Sequence, residues 1–466
     1  MTSQTSARAS PECEHNILRF ESSTHAEEVG YRRPAAQQRA IAAGRTKKDA
    51  DSWSDSSFPA PLVLPGDELS FDPRYPPQSL RSWLREKERN EVTKEKNALY
   101  VAGPPDTDTE IGFVRTWACP EADAKGVSVN ATARPSHVAV ANYLGAFYHG
   151  MRVKLLPSET LRFTSWIDDG SQPSKSRAES TKPKLIGLTT PKECIGIRTR
   201  VCPDKTFQRQ LNLDDLLDVA ISVLPDDAYA LLMVVEHDLF EDEDDDFCCG
   251  RAYGGSRIAA VSMARYNPTL DEQQNVGREH AWPASHCDAY VQECCGATPR
   301  ATKKARTRSN EPTTGPEELF QAAVSAHKPF FAPTSLSTNE QLSPSGLWLS
   351  RVCQTASHEL GHCFGMDHCV YYACVMQGTA SLAEDVRQPP YLCPVDLAKV
   401  LRATGAGERG RYEAILAFCE GHEGTPMFAV LGAWIRGILA ESGPQGQSST
   451  QGSKMGFRNM PVELSP

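Results

Sequence analysis

His358-Glu359-Leu360-Gly361-His362-Cys363-Phe364-Gly365-Met366-Asp367-His368 has the residue types and the spacing of a hydrolytic zinc site. Two histidines four apart lie on one face of an α-helix about one turn apart, so His358 and His362 can offer imidazole nitrogens to a single ion. Glu359 stands beside that ion without needing to bind it. A carboxylate there can take a proton from a water that the metal acidifies and pass it to a leaving amine. The third ligand cannot come from the same straight helix, and Gly365 supplies the bend. Glycine reaches positive φ at little cost and ends helices in the left-handed conformation, which lets His368 return beneath the metal. Three neutral imidazoles leave the ion its full double charge and one open coordination position. Any one of these histidines alone would read as an ordinary surface or core residue; the set does not.

A helix must carry the first two ligands. From Leu349 to Phe364 the apolar or small residues Leu349, Val352, Cys353, Ala356, Leu360, Cys363 and Phe364 recur at three and four, with Ser350, Arg351, Gln354 and Ser357 on the other face. Ser343-Pro344-Ser345-Gly346 reads as the break before it.

The residues after His368 are Cys369, Cys374, Met376 and then Cys393-Pro394-Val395-Asp396. With the elongated histidine motif, this run resembles the archaemetzincin family of the metzincin clan. The resemblance extends from about Phe71 to about Phe418 and includes the stretches Phe147 to Leu156 and Ala264-Arg265-Tyr266. It implies an α/β fold: a metzincin-like zinc peptidase domain with a mostly parallel twisted sheet, an active-site helix, a Met-turn and C-terminal helices. It also implies a zinc metallopeptidase acting on peptides or proteins, with Met376 forming a hydrophobic floor under the histidines. Cys369, Cys374 and Cys393 would hold a second, structural zinc. The family pattern ends in C-x-x-C, whereas this chain has Asp396 in the last place. Carboxylate oxygen is an accepted zinc ligand, so Asp396 can be the fourth donor. The alternatives are loss of the site, leaving free thiols, or completion by Cys363 or Cys353.

The 466 residues carry a net charge of −10, which gives no support for a nucleic-acid or anionic-membrane partner. Met1 to Arg19 is polar and mixed in charge, unlike an export signal, and no run of 18 apolar residues exists to span a membrane. Fifteen cysteines without a secretory signal point to the reducing cytosol or nucleus, where such residues bind metal or remain thiols. Glu241 to Asp246 is a run of six acidic residues that reads as a solvated loop, and as a speculative anchor for a substrate amino terminus. Lys303, Lys304, Arg306 and Arg308 lie in a polar stretch that reads as a surface insertion at about 296–316.

The organisation expected is a disordered or draped segment over 1–70, a catalytic domain over 71–440 and a flexible tail over 441–466. Within the domain, strands are expected at Ala98 to Ala102, Arg152 to Leu156, Ala228 to Val235 and Arg257 to Met263. Helices are expected near Ser136 to His149, from Leu213 to Leu224 with Asn212 as cap, and over Asp396 to Thr404, Glu408 to Glu420 and Met427 to Leu439. Ala228 to Val235 is continuously apolar and should be a central strand. The resemblance also implies an edge strand that pairs with substrate, for which Ile258 to Met263 is the candidate, a paired inner strand being the alternative. Cys13, in Pro11-Glu12-Cys13-Glu14-His15, is a weak candidate for an inhibitory cysteine. The competing functional reading is a non-catalytic, zinc-stabilised peptide-binding protein; a zinc hydrolase of non-peptide amides is a third. Substrate specificity and oligomeric state are not legible.

Overall fold

The computed structural model describes residues 13, 15–50, 57–121, 132–166, 184–296, 316–330, 343–441 and 463–464. Its main sheet runs in the order Gly250–Tyr253, Ile258–Ser262, Ala228–Val235, Ala98–Ala102, Arg152–Leu155, Glu463–Leu464. All neighbours pair parallel except the first two strands, which are antiparallel. Every residue of Ala228–Val235 is buried, as expected of a strand covered on both faces.

Alternation along the strands divides the core. Leu99, Val101, Leu232, Val234 and Val261 face the helices His137–Phe147 and Pro344–Cys363, packing on Val140, Leu144, Val352 and Leu360. Tyr100, Leu231, Met233, Val235 and Ile258 share the opposite core with Leu213, Leu216 and Leu217 of the helix Leu213–Ser222. Asn212 caps that helix, its side chain accepting from the Asp215 backbone N–H at 3.1 Å. A second sheet, built mainly of antiparallel pairs among Arg162–Thr164, Leu185–Thr189, Cys194–Val201 and Arg209–Asn212, contributes Phe163, Leu188, Ile197 and Leu211 to the same core. Nothing in the sequence reading anticipated that sheet.

Two differences from expectation bear on the site. Ile258–Ser262 is hydrogen-bonded on both sides, so it is an inner strand, and the edge is Gly250–Tyr253. Ser343-Pro344-Ser345-Gly346 begins the histidine helix rather than breaking before it: the Ser343 hydroxyl accepts from the Gly346 N–H, and Pro344 occupies the first turn, where its missing donor is harmless. The described part of residues 1–70 is ordered and draped over the rest, with short helices at Thr24–Val29 and Ala36–Ala42. Its Tyr31 hydroxyl donates to the Val370 carbonyl at 2.7 Å, and Leu62, Val63 and Leu64 are buried. Lys303, Lys304, Arg306 and Arg308 lie outside the described residues. Among the described residues no helix is long and apolar enough to cross a membrane.

Candidate active site

The helix Pro344–Cys363 brings His358 and His362 to one face, with ring centroids 4.7 Å apart. Gly365 then takes φ +75°, and the Met366 N–H closes back onto the Gly361 carbonyl at 3.2 Å, a left-handed helix stop. A β-carbon at Gly365 would also meet Arg89 Cγ at 2.9 Å, so glycine is required twice over. The chain returns with His368, whose ring centroid lies 5.3 Å from His358 and 5.1 Å from His362. One nitrogen of each imidazole lies within 4.8 Å of the others.

The donor chemistry fits a divalent ion. His358 Nδ1 lies 2.7 Å from the Val375 carbonyl and His362 Nδ1 lies 2.7 Å from the Met366 carbonyl. A carbonyl can only accept, so each Nδ1 carries the hydrogen and each Nε2 turns a lone pair inward. Those two Nε2 atoms are 3.0 Å apart. A tetrahedral zinc bound at its usual nitrogen distance needs them about 3.3 Å apart. Burial and the neighbouring imidazoles both lower the basicity of His358, which keeps it neutral and ready to ligate. Met376 packs against the helix between the first two histidines: a β-carbon on Gly361 would fall 2.4 Å from its sulfur.

These side chains open onto a cleft of about 1000 Å³, bordered by Tyr75, Asp245, Arg251, Thr355, Glu359 and Asp385. Glu359 sits in its wall, 8% exposed. Burial pushes its carboxyl up to about 8, with Arg251 pulling the other way. A cation at the adjacent imidazoles would pull in the same direction as Arg251. The edge strand Gly250–Tyr253 runs along the cleft, and a β-carbon on Gly250 would lie 3.2 Å from Glu359 Cγ, so that strand passes beside the Glu359 side chain. Of the acidic run, Asp244, Asp245 and Asp246 border the cleft, while Glu241 pairs with Arg251 at 2.8 Å.

Cys369, Cys374, Cys393 and Asp396 come together as a second group, all at most 4% exposed. Cys369 Sγ and Cys393 Sγ are 3.6 Å apart, and Asp396 Oδ2 lies 3.4 Å from Cys374 Sγ and 3.3 Å from Cys393 Sγ. Two thiolates on one tetrahedral zinc stand about 3.7 Å apart, so this spacing suits the ion. Among the described residues, neither Cys353 nor Cys363 joins the group. Four acids share this pocket with a single cation, Lys399, whose ammonium is 2.8 Å from Asp396 Oδ1. Burial raises Cys374 and Cys393 well above the usual thiol range, and it pushes Asp396 up to about 6. A divalent cation in their midst would supply the missing positive charge.

Two polar residues that sequence reasoning missed tie the groups together. Lys399 also donates to Gln78 Oε1 at 2.7 Å. Gln78 in turn accepts from the Asp367 N–H at 3.2 Å and donates to the Gly365 carbonyl at 2.9 Å, holding the bend between His362 and His368. Only the i,i+3 spacing of Asp396 and Lys399 could have signalled this; Gln78 and the cleft-lining Tyr75 carried no sequence signal. Cys13, the candidate inhibitory cysteine, instead groups with His15 and His280, 2.9 Å from Cys287.

Residues 323–402, which contain both groups, match the model of peptidase family M54. Archaemetzincin-2 of Homo sapiens is 26% identical over 281 residues, covering 60% of this chain and 57% of that protein. Archaemetzincin-2 of Macaca fascicularis is 25% identical over 224 residues, covering 48% of this chain and 50% of that protein. Over these stretches the chain is similar to the archaemetzincin family. It spans between half and three-fifths of the length of these archaemetzincin relatives. The crystal structure of archaemetzincin from Methanopyrus kandleri aligns over 67% of this chain and 98% of its own at 15% identity, but with a TM-score of 0.30 it carries no argument about the fold.

Proposed function

We propose that the chain is a zinc-dependent metallopeptidase that hydrolyses peptide bonds. One observation carries the reading: three inward-facing imidazoles and a buried carboxylate share the wall of an open cleft, alongside the edge of a sheet. A purely structural metal site has no use for an open side or for a general base beside it.

His358, His362 and His368 would hold the ion. Bound there, zinc supplies the Lewis acidity that polarises a scissile carbonyl and acidifies water. Glu359 takes the proton from the attacking water and returns it to the leaving amine nitrogen. Burial raises its pKa and a cation at the adjacent imidazoles would lower it again, opposing pulls that suit a group which must both take and return a proton. Gly250–Tyr253 offers its outer backbone groups to an extended peptide, so main-chain hydrogen bonds hold the substrate across the metal. Gly365 shapes the bend and Met376 packs under the histidines. Cys369, Cys374, Cys393 and Asp396 would hold a second, closed zinc that fixes the chain immediately after His368.

Glu359→Ala tests this directly. Zinc content should be retained while hydrolysis falls by roughly 10²–10⁴-fold. An unchanged rate on a cleaved peptide would remove Glu359 from the mechanism, and peptide binding without turnover by the wild type would return the chain to the class of binding proteins. Comparing free with N-acetylated peptides separates aminopeptidase from endopeptidase action.

A further inference from the structure

We propose that Cys13, His15, His280 and Cys287 form a further metal site, a Cys2His2 set suited to zinc, that clasps the N-terminal segment to the loop ahead of the helix Asp288–Cys294. Ligand atoms of Cys13, His15 and His280 fall within 4.8 Å of one another; Cys287 lies outside that trio, but its sulfur is 2.9 Å from that of Cys13, so it would have to shift toward the imidazoles to complete the set. His15 is 7% exposed, and its Nε2 has no hydrogen-bond partner. The Nε2 of His280 is likewise buried and unpartnered. Leaving a buried ring nitrogen unpaired costs about 1–3 kcal/mol, and two in one pocket call for a shared partner.

The surroundings shape the pocket. Tyr290 stacks on the His280 ring, with centroids 4.0 Å apart and planes at 8°, and His15 meets that ring edge-on at 5.1 Å. His15 holds φ +49°, a left-handed conformation that a residue with a β-carbon keeps only where its surroundings over-determine it. Two thiolates and two neutral imidazoles balance a divalent ion to zero charge, which suits burial. With Cys287 drawn in, four protein donors would close the coordination sphere and make this site structural, unlike the histidine trio.

A Cys13–Cys287 disulfide is the rival. The 2.9 Å separation lies between the ~2.05 Å of a disulfide and the ~3.7 Å of two thiolates on one zinc, so distance does not choose. The imidazoles do: a disulfide would leave both ring nitrogens unpaired, whereas a metal uses them.

The clasp has a definite mechanical place. The Arg19 N–H donates to the His286 carbonyl at 2.8 Å, the Asp288 N–H donates to the Ile17 carbonyl at 2.9 Å, and Arg19 pairs with Asp288 at 2.7 Å. Further along, Tyr31 is fastened at Val370, one residue past Cys369. The same strap is thus held at one end by the proposed site and at the other beside the cysteine group.

The test uses the full chain with zinc as the probe. Cys13→Ala/His15→Ala should lose one zinc equivalent relative to wild type while keeping the ion at the histidine trio. Equal zinc contents would overturn the proposal. In unmodified protein, alkylation followed by peptide mass spectrometry should find Cys13 and Cys287 at least tenfold slower to react with zinc present than after chelation, with reductant alone having no effect. Equal rates with and without chelator, or recovery of the two peptides as a disulfide-linked pair, would overturn it even if the double variant fails to fold.

Discussion

His368 and Cys369 are neighbours in sequence but belong to groups of opposite design. The histidine trio is half-buried and opens onto the cleft, whereas the group of Cys369, Cys374, Cys393 and Asp396 is buried throughout. Three donors with an open side leave room for substrate, and four donors in a dry pocket leave none. Access and donor count, not the choice of metal, separate the chemical role from the structural one. The largest effects should therefore come from splitting the two. His362→Ala should abolish hydrolysis and lose one ion with little change in Tm. Cys374→Ala should lose the other ion and lower Tm steeply, because the binding energy of a closed site is folding energy. Metal analysis and thermal unfolding of the two variants check this; matched losses of both ions would mean a single coupled site.

The next test sharpens what Asp396 does. Its Oδ2 faces the sulfurs while Oδ1 is held by Lys399, which is 2% exposed. Removing one partner of such a pair leaves an uncompensated buried charge, so Lys399→Met should cost about 3–5 kcal/mol in urea unfolding. Asp396→Cys, which restores the family's cysteine, should also destabilise, because Lys399 then loses its carboxylate. The Asp396→Cys/Lys399→Met double variant should recover much of that loss, a coupling that a double-mutant cycle reads directly. Additive losses would show that Lys399 and Asp396 do not act as a pair.

What the sequence made legible follows the strength of its patterns. Ala228 to Val235, an unbroken apolar run, reads as a central strand, and Asn212 before a regular apolar stripe reads as a helix cap. The edge strand was misplaced because Gly250–Tyr253 is short and lacks alternation, while Ile258–Ser262 has the β-branched character that draws attention. For the N-terminal strap, disorder and draping both stayed open for a different reason. Its composition is polar, yet Arg33 and Arg39 lie over the Tyr372 ring at 5.0 and 5.4 Å, so stacked guanidinium groups do packing that an apolar count overlooks. The approach of the three imidazoles was foreseeable from spacing alone. The role of Gln78, brought in from 287 residues away, was not.

Acid should act on the scaffold apart from the metals. His237 is buried with Nε2 at 3.0 Å from the Val114 carbonyl, and burial pushes it down to about 4. Unfolded histidine titrates near 6.5, so between those values the unfolded chain binds a proton that the fold refuses. Stability is therefore full above about pH 6.5 and falls by roughly 2–3 kcal/mol as pH drops toward 4. His237→Gln should flatten that slope in urea titrations at pH 7 and 5 without altering zinc content. An unchanged slope would remove His237 from the acid sensitivity and assign it to other buried imidazoles, such as His286 and His327, or to the ligands.

The smallest effect expected is at the bridge between the two groups. Gln78 is an acceptor for Lys399 and the Asp367 N–H and a donor to the Gly365 carbonyl. Gln78→Glu keeps the acceptor that Lys399 needs but loses the donor at the bend, whereas Gln78→Leu loses both. Both ions should remain in either variant. Gln78→Leu should cost about 1 kcal/mol of stability, and Gln78→Glu less, because its carboxylate strengthens the contact with Lys399. Both should lower kcat by a few-fold at nearly constant KM, since the bend that carries His368 is loosened while the peptide-binding edge is untouched. An equal fall in stability for both variants with kcat unchanged would mean that Gln78 serves only the cysteine side, and the two groups would then be mechanically independent despite their adjacency in the chain.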